Sequence, residues 1–137
     1  MDLSDFEATV TQHEVRASHG HAVTPWLRAA WPEADDDDLE YAALMAAAAE
    51  SASRMTVTAL DHFGHRVVLV VDADVLDEAD DSTSVEIATP VAWARLAAVQ
   101  ADPDPIALDD GDDADLGWFA NQEAEWLLER IKGDPST

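Results

Sequence analysis

Val67-Val68-Leu69-Val70-Val71 is the segment that leaves this chain the fewest options. An unbroken apolar run of strand length, four of its five residues β-branched, is the pattern of a strand buried within a sheet. The strand is expected over His65 to Asp72, with Gly64 leading into it. The second strong segment is a helix expected from about Asp36 to Met55. It is rich in small residues, with Leu39, Ala43 and Ala46 on one side and Leu44, Met45, Ala48 and Ala52 on another, which suits close packing against a sheet. Asp35, Asp36, Asp37 and Asp38 precede or open it, where carboxylates oppose the positive end of the helix dipole and accept from free N–H groups.

Around these two, shorter elements follow from local signals. Ser4 with Glu7 has the capping-box spacing, Leu3 and Ala8 can form a staple, and a short helix is expected from near Asp5 with Phe6 and Val10 inward. Ala22 and Val23 read as a brief strand. Thr24 before Pro25 is a cap followed by the residue best suited to a first helical position, so Trp26 to Ala30 is expected to be helical. Residues 77–84 form an acidic loop, and Val85, Ile87 and Thr89 alternate as an edge strand ending at Pro90. A helical turn at Trp93 leads to a strand over Ala97 to Ala101. Residues 102–115 hold seven Asp, two Pro and one Gly and read as a loop. Leu116 to Ala120 is a strand, and Asn121 caps a last helix, Gln122 to Lys132, with Trp126, Leu127 and Ile131 inward. Strands and helices mix without a βαβ rhythm, which gives the α+β class: a small, mostly antiparallel sheet packed against three to four helices. At 137 residues this is one domain, and 47% hydrophobic residues are enough for a core.

Charge constrains what such a domain approaches. Thirty acidic residues against seven basic ones leave a net charge of -23, which disfavours direct contact with nucleic acid or an anionic membrane and favours a basic protein surface or a cation. Coding bias or adaptation to a high-salt cytoplasm produces the same excess without any binding role. The absence of cysteine excludes disulfides and thiolate chemistry. Met1 to Glu7 is acidic, unlike a secretory signal, and Leu44 to Ala49 is too short to span a bilayer, so a cytoplasmic protein is the expectation.

Four blocks in order carry a resemblance: Ala22-Val23-Thr24-Pro25, Asp38-Leu39-Glu40-Tyr41-Ala42-Ala43-Leu44, Arg66-Val67-Val68 and Gly117-Trp118-Phe119-Ala120-Asn121-Gln122-Glu123. Over most of its length the chain resembles an uncharacterised family of small acidic actinobacterial proteins. The resemblance implies no activity. It implies that members open with a strand before the first helix and carry a longer segment ahead of the Trp-aromatic block. This chain starts at the helix and has an abbreviated acidic loop instead, so its sheet is expected to miss an edge strand, which leaves open whether a second copy or another chain fills that edge.

Chemistry-bearing motifs are sparse. His19 with His21 and His62 with His65 are the candidate metal pairs, but both adjoin glycines and lack a defined ligand spacing, so no metal and no cofactor is assigned. The aspartates of 109–115 lack the alternating ligands and the bidentate Glu of a calcium loop. Glu123 and Glu125 near Trp118 form a conceivable acid pair that helix capping also explains. No nucleophile elbow or phosphate loop is present. Trp31, just before the acidic run, is the tryptophan expected to be partly exposed, as an anchor beside carboxylates would be. The leading expectation is a non-catalytic protein that engages a basic partner, as an inhibitor or DNA mimic does. Its contact residues are Trp31, Asp35, Asp36, Asp37, Asp38, Asp77, Asp80, Asp81, Asp109, Asp110, Asp112 and Asp113. The alternatives are a small metal-dependent or hydrolytic enzyme using His and carboxylate groups, and an oligomeric structural subunit.

Overall fold

The computed structural model describes residues 1–56, 63–107 and 115–133. In chain order the elements are α1 (Leu3–Gln12), β1 (Glu14–Val15), β2 (His19–His21), α2 (Pro25–Ala30), α3 (Asp36–Thr56), β3 (Phe63–Gly64), β4 (Val67–Val71), β5 (Val75–Glu78), β6 (Ser84–Ile87) and β7 (Val91–Ala92). They continue with a 3-10 turn at Trp93–Arg95, β8 (Leu96–Ala101), β9 (Ile106–Ala107), β10 (Gly117–Phe119), a second 3-10 turn at Asn121–Glu123 and α4 (Ala124–Lys132). The α+β class holds, and every described strand pair is antiparallel. The strands divide into two three-stranded sheets, β10-β8-β4 and β2-β6-β5, and two short pairs, β1-β7 and β3-β9.

The apolar run becomes β4, with Val67 and Val68 buried. Alternation along β4 and β8 turns Val67, Val99 and Ala101 to one side, the register shift between Val70 and Val71 brings Leu96 to them, and together they form one core with Phe6 and Val10 of α1 and with Ala124, Leu127, Leu128 and Ile131 of α4. The stripe 124, 127, 128, 131 has the spacing of one helix face, and α4 docks on the core by that face. A smaller core gathers Val15, Val85, Ile87 and Val91. Leu69 and Val71 of β4 touch both cores and join the two sheets. Helix α3 packs its small residues, with Ala48 and Ala52 buried, against β4 and β2.

Several local expectations are corrected. α1 is capped two residues earlier than the Ser4 pattern suggests, by Asp2, whose carboxylate accepts the Asp5 N–H at 2.8 Å. Its other end closes at His13, in the left-handed region at φ 55°, with the imidazole stacked 4.9 Å from the Trp93 ring. The brief strand lies at His19–His21 rather than Ala22–Val23. Asp77 belongs to a strand, β5, and only the turn after it is loop. Strand β6 is central, because β2 and β5 pair on its two sides. Within the expected loop 102–115, Ile106–Ala107 pairs with β3. Asn121 does not cap the last helix: its side chain reaches the Leu96 carbonyl at 3.2 Å. The Glu123 carboxylate instead accepts the Ala120 N–H at 3.0 Å. Trp126 is 54% exposed, lying against Phe119 and under the Arg130 guanidinium rather than in the core.

Candidate functional site

Asp35 and Asp38 form a reciprocal cap on α3: the Asp35 carboxylate accepts the Asp38 N–H at 2.8 Å, and the Asp38 carboxylate faces the Asp35 N–H at 3.4 Å. Asp36 takes one hydrogen bond from Arg28 at 3.0 Å, an exposed pair of small energetic weight. Asp35 to Asp38 are all exposed. Trp31, the C-cap of α2, is 46% exposed, in keeping with the partial exposure expected of it.

The β5-β6 turn carries Asp80 and Asp81, both exposed. It is tied to the start of α2 because Thr24, fully buried, donates its hydroxyl to the Ser82 carbonyl at 2.8 Å and caps Leu27 N–H at 3.3 Å. Ala22 N–H also donates to the Thr83 carbonyl. Because α2 spans only about 9 Å at 1.5 Å per residue, the Asp80–Asp81 turn and the Trp31–Asp38 segment sit at its two ends. Asp77 is exposed on β5, where its carboxylate accepts the Glu78 N–H at 3.1 Å. Asp109, Asp110, Asp112 and Asp113 lie outside the described residues, as does His62. The described end of that segment, Asp115, accepts the Tyr41 hydroxyl at 2.8 Å, and Tyr41 stands one turn after Asp38 on α3.

The charge accounting decides what this surface can do. Each of the seven basic side chains already lies against a carboxylate: Arg16 on Glu14, Arg28 on Asp36, Arg54 on Glu50, Arg66 on Asp102, Arg95 on Asp74, Arg130 on Asp104 and Lys132 on Glu7. Among the described residues, Asp35, Asp37, Asp38, Asp77, Asp80 and Asp81 face no Lys or Arg of their own chain.

Among the described residues one Arg–Asp ion pair is removed from water, and nothing in the sequence reading points to it. Arg66 and Asp102 meet where the β4-β8 ladder hands over to β3-β9. There His65 and Arg66 face four residues, 102–105, because Gly64 pairs with Ile106 and Val67 with Ala101. His65, also buried, places Nδ1 2.7 Å from the Asp102 carbonyl. Its only sequence trace is an arginine directly before the apolar run, since the partner is 36 residues away.

The histidines have separate surroundings. His19 meets Ser18 Oγ at 3.0 Å, while His21 meets Thr83 Oγ1 at 2.8 Å and lies 3.6 Å from Glu50. Among the described residues, no three His, Asp or Glu side chains come together as a metal-ligand set. Likewise, no helix among the described residues is long and apolar enough to cross a membrane.

No curated protein and no solved structure matches this chain. A family model does match, over residues 1–128. The chain is a member of the family of unknown function DUF6912.

Proposed function

We propose that this protein is a non-catalytic binding protein whose acidic surface, around Asp35–Asp38 and the Asp80–Asp81 turn with Trp31 as anchor, engages a basic protein. The observation that carries this reading is the exhausted supply of internal cations: all seven basic side chains already lie on carboxylates, Arg28 on Asp36 of this surface itself, while the exposed Asp35, Asp37, Asp38, Asp80 and Asp81 face none of them. A partner that supplies arginines or lysines gains Coulomb energy without breaking an existing pair, and the net charge of -23 draws it in over a Debye length of about 10 Å at 0.1 M salt. Trp31 adds apolar area at the place where the acids cluster, the combination that interface hot spots use. The same account covers the aspartates of 109–113, which extend the acidic segment ending at Asp115. We place the protein in the cytoplasm, among nucleic-acid-handling partners whose cationic grooves carboxylates can occupy in place of phosphates.

The test is recovery of partners by immobilised protein from the native host at low salt, followed by measured affinity of each recovered partner over a salt series. Basic partners whose binding weakens steeply with salt support the reading; recovery of only neutral or acidic partners, or affinity indifferent to salt, refutes it.

A further inference from the structure

Strand β5 is the open end of its sheet. In the order β2-β6-β5 the opposite edge strand, β2, is covered by α3, whereas all four residues of β5 are exposed on both faces, Val75 at 46% and Leu76 at 63%. The direction of its free backbone groups follows from the ladder. Ala88 N–H donates to the Asp74 carbonyl and Ala79 N–H to the Ser84 carbonyl, so the alternating positions Val75 and Glu78 point their backbone groups away from β6. Ile87, the register partner of Val75, sends its own N–H the other way, to Ser18. The outward Glu78 N–H is taken by the Asp77 carboxylate, but the Val75 amide has no such local partner among the described residues.

This edge is selective by construction. A register shift between Val75 and Asp77 leaves Leu76 as an extra residue, and bulges and charges are how proteins keep sheet edges from pairing indiscriminately. Six acids lie within residues 72–81, and only Asp74 is near a cation, Arg95 at 3.8 Å. A second copy would set two such segments, each on a body of net charge -23, side by side. A strand carrying lysine or arginine instead meets opposite charge across the new pair, with Val75 as the apolar neighbour on one face and Leu76 on the other.

We infer that the β5 edge takes an extended basic segment of the partner protein as an added strand, a reading that rests on the basic-partner proposal above and specifies its mode. The partner segment alternates apolar and basic side chains, with the apolar ones beside Val75 on one face of the extended sheet.

The probe is a short synthetic peptide of alternating Val and Arg, with a control of the same composition plus prolines that cannot pair as a strand. Full-chain protein is titrated with each, and amide hydrogen exchange is read residue by residue. The alternating peptide should bind at least tenfold more tightly than the control and slow exchange at Val75. In Val75→Pro, which removes an outward N–H at an edge position where proline is tolerated, that advantage should vanish while β6 protection remains. Salt-sensitive binding of both peptides with unchanged Val75 exchange overturns the edge inference and leaves the basic-partner reading standing. No binding of either peptide at low salt overturns both. Val75 protection that appears with protein concentration alone overturns the inference in favour of a second copy.

Discussion

Arg66 and Asp102 are joined by a two-pronged ion pair, Nε to Oδ2 at 2.8 Å and Nη2 to Oδ1 at 3.0 Å, and the same carboxylate accepts the Arg66 backbone N–H at 3.0 Å. The Asp102 N–H returns a bond to the Arg66 carbonyl at 3.0 Å, so one residue pair holds the two strands at the point where their register breaks. The Arg66 side chain is fully buried and that of Asp102 nearly so.

Asp102→Ala leaves that guanidinium in the interior without its carboxylate, and the expected loss is about 3–5 kcal/mol in urea unfolding. Replacing both, as Arg66→Met with Asp102→Leu, should cost less than the single change, since the buried guanidinium that would lack the Asp102 carboxylate is itself removed. Equal losses in the two variants would contradict this account of the pair.

Thr24→Ala should cost about 1–2 kcal/mol, the usual weight of a lost N-cap, because Leu27 N–H loses its acceptor. It also leaves the Ser82 carbonyl without its donor, so amide exchange in the 79–83 turn should quicken. Thr24→Ser keeps the hydroxyl and should recover most of the stability.

Gly117→Ala places a methyl 3.0 Å from Phe119 Cε2 and 3.2 Å from the Ala101 carbonyl oxygen, which belongs to the central strand β8 and has little freedom to move. Thermal unfolding should show a loss of about 1–3 kcal/mol, the ordinary cost of overpacking.

Burial, reinforced by Arg54, holds the Met1 ammonium below its ordinary 8.0, against the opposite pull of Glu50, Asp2 and Asp5. This group donates to the Val67 carbonyl at 2.7 Å, while Ser51 bridges the Met1 carbonyl and the Val67 N–H. Between the lowered folded value and 8.0 the unfolded chain binds more protons, so this group's contribution to stability rises with pH across that window and is complete above it. Unfolding of the free-amine chain from pH 6 to pH 9, compared with an Nα-acetylated chain, should show that rise only in the former.

How far these features could be read in advance tracks how local their causes are. The Thr24-Pro25 start of α2, the length of α3 and the β4 run came through because cap chemistry and periodicity act within a few residues. The centrality of β6 did not, since alternation is the same for an edge and a central strand and only the pairing with β2 and β5 decides. Trp126 was misplaced although the signal was present: Ala124, Leu127, Leu128 and Ile131 complete an inward face that leaves position 126 outside it. The acidic residues were legible as charge but not as a surface. That Asp35, Asp37, Asp38, Asp77, Asp80 and Asp81 face no internal cation emerges only when the seven basic side chains are seen on other carboxylates.

Asp37→Asn and Asp38→Asn together should cost about 1 kcal/mol, since both side chains are exposed and pair with no Lys or Arg, the amide oxygen replacing the Asp38 carboxylate can still accept the Asp35 N–H, and the loss is that of two charges opposing the α3 dipole. Partner affinity should fall in the same variant. A large stability loss would show that these acids serve the fold rather than a partner.

The most direct measurement is the dissociation constant of the intact protein for a recovered basic partner, titrated between low and high salt in parallel with the Asp37→Asn/Asp38→Asn variant. The account predicts binding that weakens at least tenfold over that range and a shallower salt slope in the variant. An affinity that does not change with salt, or a variant with an unchanged slope, would contradict an acidic surface that binds through its unpaired carboxylates.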